Sequence, residues 1–430
     1  MLIKWLNFQR KSFFFPTFQL SLILVLVNFL VGCSTVPKPA PKLNLSADEI
    51  QKQPASVSEA IKKLKMEHER NAVINLADIA MAALAEKDKI DSRTLKELVD
   101  TPLDLAIARV EDIYADTPEA KKARSLWYDE AEKDFKGEPY ERSFIFFLRG
   151  LRYFETGDFD NAKACFKSGI LQDSLSVEGR FNADMANMEW MIGICHLKLG
   201  EHEDAVKAFK RAQSIRPNLV IPDKNDNTLV VFFAGRGPVK KQTGKYKDIL
   251  LFEAGKSVSK IIIASYMQFG KNPSYHTPKL FEDIFFQATT RGGRSIDKIN
   301  KYKSTVKNNT KVIGNLAFLL GLTALGTSLI IAASSSGNGD VAIIFGAIGI
   351  GLIAAGIGAH VIAKMIKTKA DIRTFKSIPG RLLVQSAKLV PGSRLIGLLT
   401  SDLKVPEKIQ FKKSYIQPNN NHNVVYVFCP

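Results

Sequence analysis

FFLRGLRYFETGDFDNAKACFKSG, residues 146–169, and WMIGICHLKLGEHEDAVKAFKRAQSIRP, residues 190–217, decide how the helical part of this chain folds. Aligned on each other, they match Gly150 with Gly193, Tyr153 with His196, Gly157 with Gly200, Ala162 with Ala205 and Phe166 with Phe209. The small residues fall where two helices must cross closely, and the aromatic rings fill the gap a missing side chain leaves. Pro217 then ends the last helix, because its ring removes the donor that another turn would need. Five coincidences across two units set the pair apart from an ordinary amphipathic hairpin.

These are the positions of the tetratricopeptide repeat. Gly150 and Gly193 are 43 residues apart, against a usual period of about 34, so DSLSVEGRF (residues 173–181) reads as an insertion between units. Two repeats seldom stand alone. The upstream helices, from about Ser56 to Phe135, are therefore expected to be divergent repeats that complete a helical solenoid over residues 56–221. The concave groove of such a solenoid is expected to take a peptide segment of another protein.

After Pro217 the periodicity changes. TLVVFFAGRGPVKKQTGKYKDILLF, SVSKIIIASYMQF, RLLVQSAKLVPGSRLIGLLT and NNHNVVYVFCP are β-rich runs broken by turn residues, which predicts a small β domain built from residues 222–276 and 367–430. A polar, basic helix over residues 277–311 and an apolar helical hairpin over residues 312–366 are expected as its insertion. The fold class is α+β, mainly α.

Residues 312–333 and 341–363 carry no charge, and each run matches the length needed to cross a bilayer. Ala347, Gly351, Ala355 and Ala359 recur at four-residue spacing, the pattern by which membrane helices approach closely. Lys303, Lys307, Lys311, Lys364, Lys367 and Lys369 flank the pair. The formal net charge of +17 belongs to the second half, where residues 221–430 hold 29 Lys+Arg against 11 Asp+Glu. A basic half beside an apolar hairpin suits anionic lipid head groups, and no motif points to nucleic acid.

At the N-terminus Lys4, Arg10 and Lys11 precede the apolar run Leu20–Leu30, and Leu30-Val31-Gly32-Cys33 reads as a lipobox. Residues 1–32 are thus expected to be a lipoprotein signal peptide, Cys33 to carry the lipid with acyl chains such as palmitate, and residues 33–55 to form the linker. Ser34 is compatible with transport to the outer membrane of a Gram-negative cell. With Cys33 outside the cytoplasm, a hairpin crossing the inner membrane would set its lysine-rich flanks in the periplasm, against the positive-inside rule. The expected alternatives are entry into a membrane from the periplasmic side or burial in an oligomer.

Catalysis finds no candidate residues. The glycines of Gly235-Arg236-Gly237-Pro238 read as a strand-to-strand turn with Lys240 and Lys241 as its basic tip, and Glu282-Asp283 and Glu203-Asp204 read as solvated helix positions. His196 is expected to pack. Cys165 and Cys195 are open to a bridge or to a role as small buried hydrophobes, and with Cys429 they make no metal site. No cofactor or metal is expected.

Gly137-Glu138-Pro139-Tyr140-Glu141-Arg142, then Gly157-Asp158-Phe159, then GRGPVK at 235–240, then Ala370-Asp371-Ile372-Arg373-Thr374-Phe375 with Ile378-Pro379 together resemble, in that order, an uncharacterised family of bacterial outer-membrane lipoproteins with tetratricopeptide repeats. The resemblance spans roughly residues 60–395. It implies export, outer-membrane attachment and no catalysis. Phe375 stands where the family suggests Trp, and the hairpin is longer and less Ala-rich than the family's segment. The function these features lead one to expect is a non-enzymatic envelope scaffold at a membrane, facing the periplasm, with a homo-oligomer open. The alternative is an oligomeric channel or secretion-pore component lined by the Gly-rich hairpin.

Overall fold

The computed structural model describes residues 43–67, 69–111, 134–135, 137–174, 184–255, 261–267, 274–276, 278–290, 295–334, 339–365, 369–389, 394–400, 407–409 and 422–429. Cys33 and the expected signal peptide lie outside them. The architecture is α+β and mainly α.

The helical part begins with α1 (Ala47–Gln51), which opens on a capping box between Ser46 and Glu49, and continues through α2 (Ala55–Met66) and α3 (Ala72–Ala85). Then come α4 (Ser92–Leu95), a π-helical turn Lys96–Asp100, and α5 (Thr101–Glu111). The two aligned sequence units form α6 (Pro139–Glu155) with α7 (Phe159–Ser174), and α8 (Ala186–Leu199) with α9 (His202–Ile215). Successive helices pack in chain order, α2 on α3, α3 on α5, α5 on α6 and so on to α9. Two buried arginines weld α6 to the helix before it: Arg149 Nε donates to Asp104 at 2.7 Å and Arg152 Nε to Asp100 at 2.9 Å.

Among the described residues three sheets follow. The central one has the order β10-β1-β7-β6, formed by β1 (Thr228–Ala234), β6 (Lys279–Asp283), β7 (Arg381–Ala387) and β10 (Asn423–Cys429). β10 runs parallel to β1, and β7 is antiparallel to both β1 and β6. β2 (Val239–Thr243) and β3 (Ile249–Glu253) make a hairpin, and β4 (Ile261–Met267), β5 (Ser274–His276), β8 (Arg394–Thr400) and β9 (Glu407–Ile409) make an antiparallel sheet in the order β5-β4-β8-β9. Strand β1, at the middle of the central sheet, is buried on both faces, which is why TLVVFFA has no polar alternation. Leu229, Val231, Phe233, Leu382, Val384 and Val424 join the core of the helical repeats, whereas Val230, Phe232, Ala234, Val425, Val427 and Cys429 form a second small core. Successive strand side chains alternate between the two.

The expected polar helix over 277–311 is corrected. β6 and a short helix, α10 (Ile284–Thr289), occupy its first part, because Phe281 is needed in the shared core, and α11 (Ser295–Ser334) begins only afterwards. α11 and α12 (Gly339–Met365) form the hairpin. Its crossing point is at Gly314 and Gly356, where a Cβ added to Gly356 would meet the Gly314 carbonyl oxygen and the Phe318 amide nitrogen, both at 2.8 Å. The expected small-residue face is therefore only partly used. Ala359 meets Gly314, but Gly351 has nothing within 4 Å of an added Cβ, and Ala355 is exposed. Among the described residues no helix is long and apolar enough to cross a membrane. Side chains 326–347, which include parts of both apolar runs, lie outside the described residues. What the described residues form is a helical hairpin with an exposed apolar surface.

Candidate functional site

Each repeat is closed by a ring against a bare helix backbone. A Cβ on Gly150 would come within 2.5 Å of the Phe166 ring, and one on Gly193 within 2.7 Å of the Phe209 ring. Ala162 and Ala205 are wholly buried beneath them, Gly157 and Gly200 turn the chain at φ +81° and +78°, and Tyr153 stacks under the Arg149 guanidinium at 3.7 Å. His196 is buried and bonds the Glu201 carboxylate just past the Gly200 turn; Pro217 is exposed beyond the end of α9. Sequence inspection did not single out Gly169, which packs on Met188 and joins the first unit to the second.

The first helix of each unit, α6 and α8, faces the groove of such a stack, and here that groove is filled. Tyr140 meets Phe252 of β3 edge-on at 5.9 Å, Phe144 meets Phe233 of β1, Phe147 meets Phe281 of β6, and Trp190 meets the same Phe281 at 5.2 Å. Pairs of this kind add about 1 kcal/mol each beyond the area they bury. The expectation of a groove open to a partner's peptide is corrected: the chain's own sheet occupies it, because α6 presents buried residues on nearly every side and needed a cover within the molecule.

At the N-terminal end of α6, three of the motifs, distant in sequence, converge on one carboxylate. Glu138 is the N-cap, Pro139 starts the helix where its missing donor costs nothing, and Glu141 reaches back to the Glu138 amide at 2.8 Å. The same Glu141 Oε2 accepts from Lys240 Nζ at 2.7 Å, while its Oε1 accepts from the Thr374 hydroxyl and the Phe375 amide, both at 3.2 Å. Lys240 also donates to the Arg373 carbonyl at 2.8 Å and sits 5.2 Å from the Phe135 ring. Its side chain is 0% exposed and that of Glu141 1%. The basic tip expected at GRGPVK is thus corrected. Lys240 points inward, since β2 places it opposite Phe252 under the helix terminus, and Lys241 alone stays outside, paired with Glu253. Gly237 permits this approach; a Cβ there would lie 2.4 Å from Ile378, whose carbonyl accepts the Gly237 amide at 2.9 Å. Phe375 is buried against Phe144, and Arg373 is held by Asp371 and by Asn71 of the α3 entry. The cluster is a saturated latch that fixes the repeat to the β domain. An ion pair so buried gives registry more than stability.

A second buried pair was missed. Glu282, expected on a solvated helix face, lies fully buried in β6 and pairs with Arg216 past α9, and Asp283 caps α10 through the Phe286 amide. Burial pushes the Glu282 carboxyl above the usual carboxylate range, against the pull of Arg216, and its Oε2 has no hydrogen-bond partner. Glu203 and Asp204 are exposed on α9 as expected. Cys165, Cys195 and Cys429 are free thiols; burial pushes Cys165 and Cys429 up to about 12 and Cys195 higher still, so none is a ready nucleophile. Among the described residues no group of three His, Cys, Asp or Glu side chains is placed to hold a metal ion.

Residues 190–219 match the family model of the tetratricopeptide repeat. The chain therefore carries a repeat of the class that serves as a protein–protein interaction scaffold. No curated protein and no solved structure matches the chain significantly.

Proposed function

We propose that this chain is a non-enzymatic scaffold of the Gram-negative cell envelope, anchored by a lipid on Cys33 at the outer membrane and facing the periplasm, in which the repeat–sheet body holds an apolar hairpin against a lipid bilayer. The observation that carries the reading is the contrast between a groove filled from within and a hairpin left bare: Leu319 is 59% exposed and Ile350 64%, with Val312, Ile313, Leu316, Ile357 and Val361 exposed alongside. Monomeric surfaces rarely keep so much contiguous apolar area in water. With its groove engaged, the repeat offers its outer face, formed by α7 and α9, to any protein partner. The lipobox residues and the resemblance to exported repeat lipoproteins support the location.

Two variants test the reading by membrane fractionation. Leu316→Asp with Leu319→Asp is expected to weaken retention in a chain carrying Cys33→Ser, and Cys33→Ser alone to weaken it less. Full retention of the combined variant would refute the hairpin's part.

A further inference from the structure

The turn between β2 and β3 is oriented by backbone that few residues adopt: Gly244 has φ +88° and Lys247 φ +57°. The Lys247 carbonyl accepts the Ala370 amide at 2.8 Å, which ties the turn to the segment leaving α12. Tyr246 at its tip reaches the foot of α11, where its hydroxyl donates to Asn308 Oδ1 at 3.3 Å. Three ammonium groups converge on this ring: Lys245 Nζ lies 5.5 Å from its centroid, Lys307 5.3 Å and Lys311 5.1 Å. Lys307 and Lys311 are one helical turn apart, where like charges repel; the electron-rich face of the ring offsets part of that repulsion. The acidic group of the turn is Asp248, whose carboxylate faces Gly244. Directly after Lys311 come Val312 and Ile313, the first exposed apolar residues of the hairpin.

We propose that Lys245, Lys307 and Lys311, gathered by Tyr246, form a binding site for the phosphate of an anionic phospholipid. The site rests on the reading that the hairpin faces a bilayer. If the apolar residues sit among the acyl chains, the step from Lys311 to Val312 falls at the headgroup layer, and a triad of ammonium groups at that depth matches a lipid phosphate in charge and position. Each lysine near an anionic surface contributes about fivefold in partitioning.

The test is co-sedimentation of the full chain carrying Cys33→Ser, so that no acyl chain contributes, with phosphatidylcholine vesicles with and without phosphatidylglycerol. The wild-type residues are expected to favour phosphatidylglycerol vesicles by at least about tenfold, and Lys307→Gln with Lys311→Gln to abolish that preference while leaving binding to neutral vesicles intact. Lys298→Gln with Lys301→Gln, the same charge change farther back on α11, is expected to keep it. An unchanged preference in the first variant, or an equal loss in the second, overturns the site while the membrane reading stands. Displacement by millimolar glycerol 3-phosphate would reassign the triad to a free anion. Failure to bind either vesicle overturns the membrane reading and the site with it.

Discussion

Helix α6 and helix α12 are both dominated by apolar residues, yet they end in different surroundings. α6 spends its aromatic rings on a sheet encoded far downstream, and almost every side of it is buried. α12 builds its apolar surface from Ile, Ala and Gly, meets α11 at Gly314 and Gly356, and leaves Ile348, Ile350, Ile357 and Val361 exposed. Large rings reach across to a partner element, whereas glycines only let two backbones touch. Hydrophobic composition alone thus does not tell whether a helix is cored; the size of its side chains and the presence of an internal cover do.

The largest effect is expected where the covered helix is pinned. Lys240→Met leaves Glu141 buried without its cation and should cost about 3–5 kcal/mol in urea unfolding, and Glu141→Gln combined with it should recover much of that loss. If the single variant unfolds like the wild type, the latch does not hold the body together. Next is the repeat crossing itself. Gly150→Val drives two methyl groups into the Phe166 ring and should cost about 1–3 kcal/mol, with Phe166→Leu in the same chain relieving part of it.

These two sites differ in how legible they were. Gly150 and Phe166 lie within one local repeat, so their spacing alone pointed to their meeting. The latch joins Glu141 to Lys240 and Thr374, residues 99 and 233 positions away; local patterning says nothing about such pairs, and only the order of four motifs hinted that they belong together. A lysine after Gly-Pro reads as a turn tip, and nothing nearby in sequence announces the carboxylate that draws it inside. FEDIFFQ has the composition of a helix, but the need for Phe281 in the core made its first residues a strand. On α12 the four-residue spacing found Ala359 at the crossing, but Gly356, outside that pattern, makes the closest approach to α11, while Gly351 and Ala355 are left open.

Glu282 gives a test of intermediate size. Its folded-state pKa is raised, so protonation favours the folded chain: the stability tied to this group is present below the ordinary carboxylate value and is lost as pH rises through the raised value. Relative to Glu282→Gln, the wild type should therefore gain stability as pH is lowered from neutrality towards that ordinary value, read from urea midpoints at successive pH. Parallel profiles would show that Arg216 keeps the carboxylate ionised throughout. The smallest effect belongs to the bare helix. Gly351→Ala points into open space and should change the melting midpoint by no more than helix propensity allows, within about 1 kcal/mol and in the stabilising direction. Gly356→Ala, in contact with the Gly314 carbonyl, should destabilise. Equal outcomes for the two glycines would mean that the hairpin crosses elsewhere.

The peptide that leaves α12 is the one that closes the latch. Ala370 is bonded on both sides to the β2–β3 hairpin, by the Lys247 carbonyl and, at 2.6 Å, by the Gln242 amide; four and five residues on, Thr374 and Phe375 bond Glu141. A pull on the C-terminal end of the hairpin is therefore taken first by β2 and β3 and then by the first turn of α6. The chain is rigged like a guy-rope, with short, pinned lengths between the apolar arm and the helical mast.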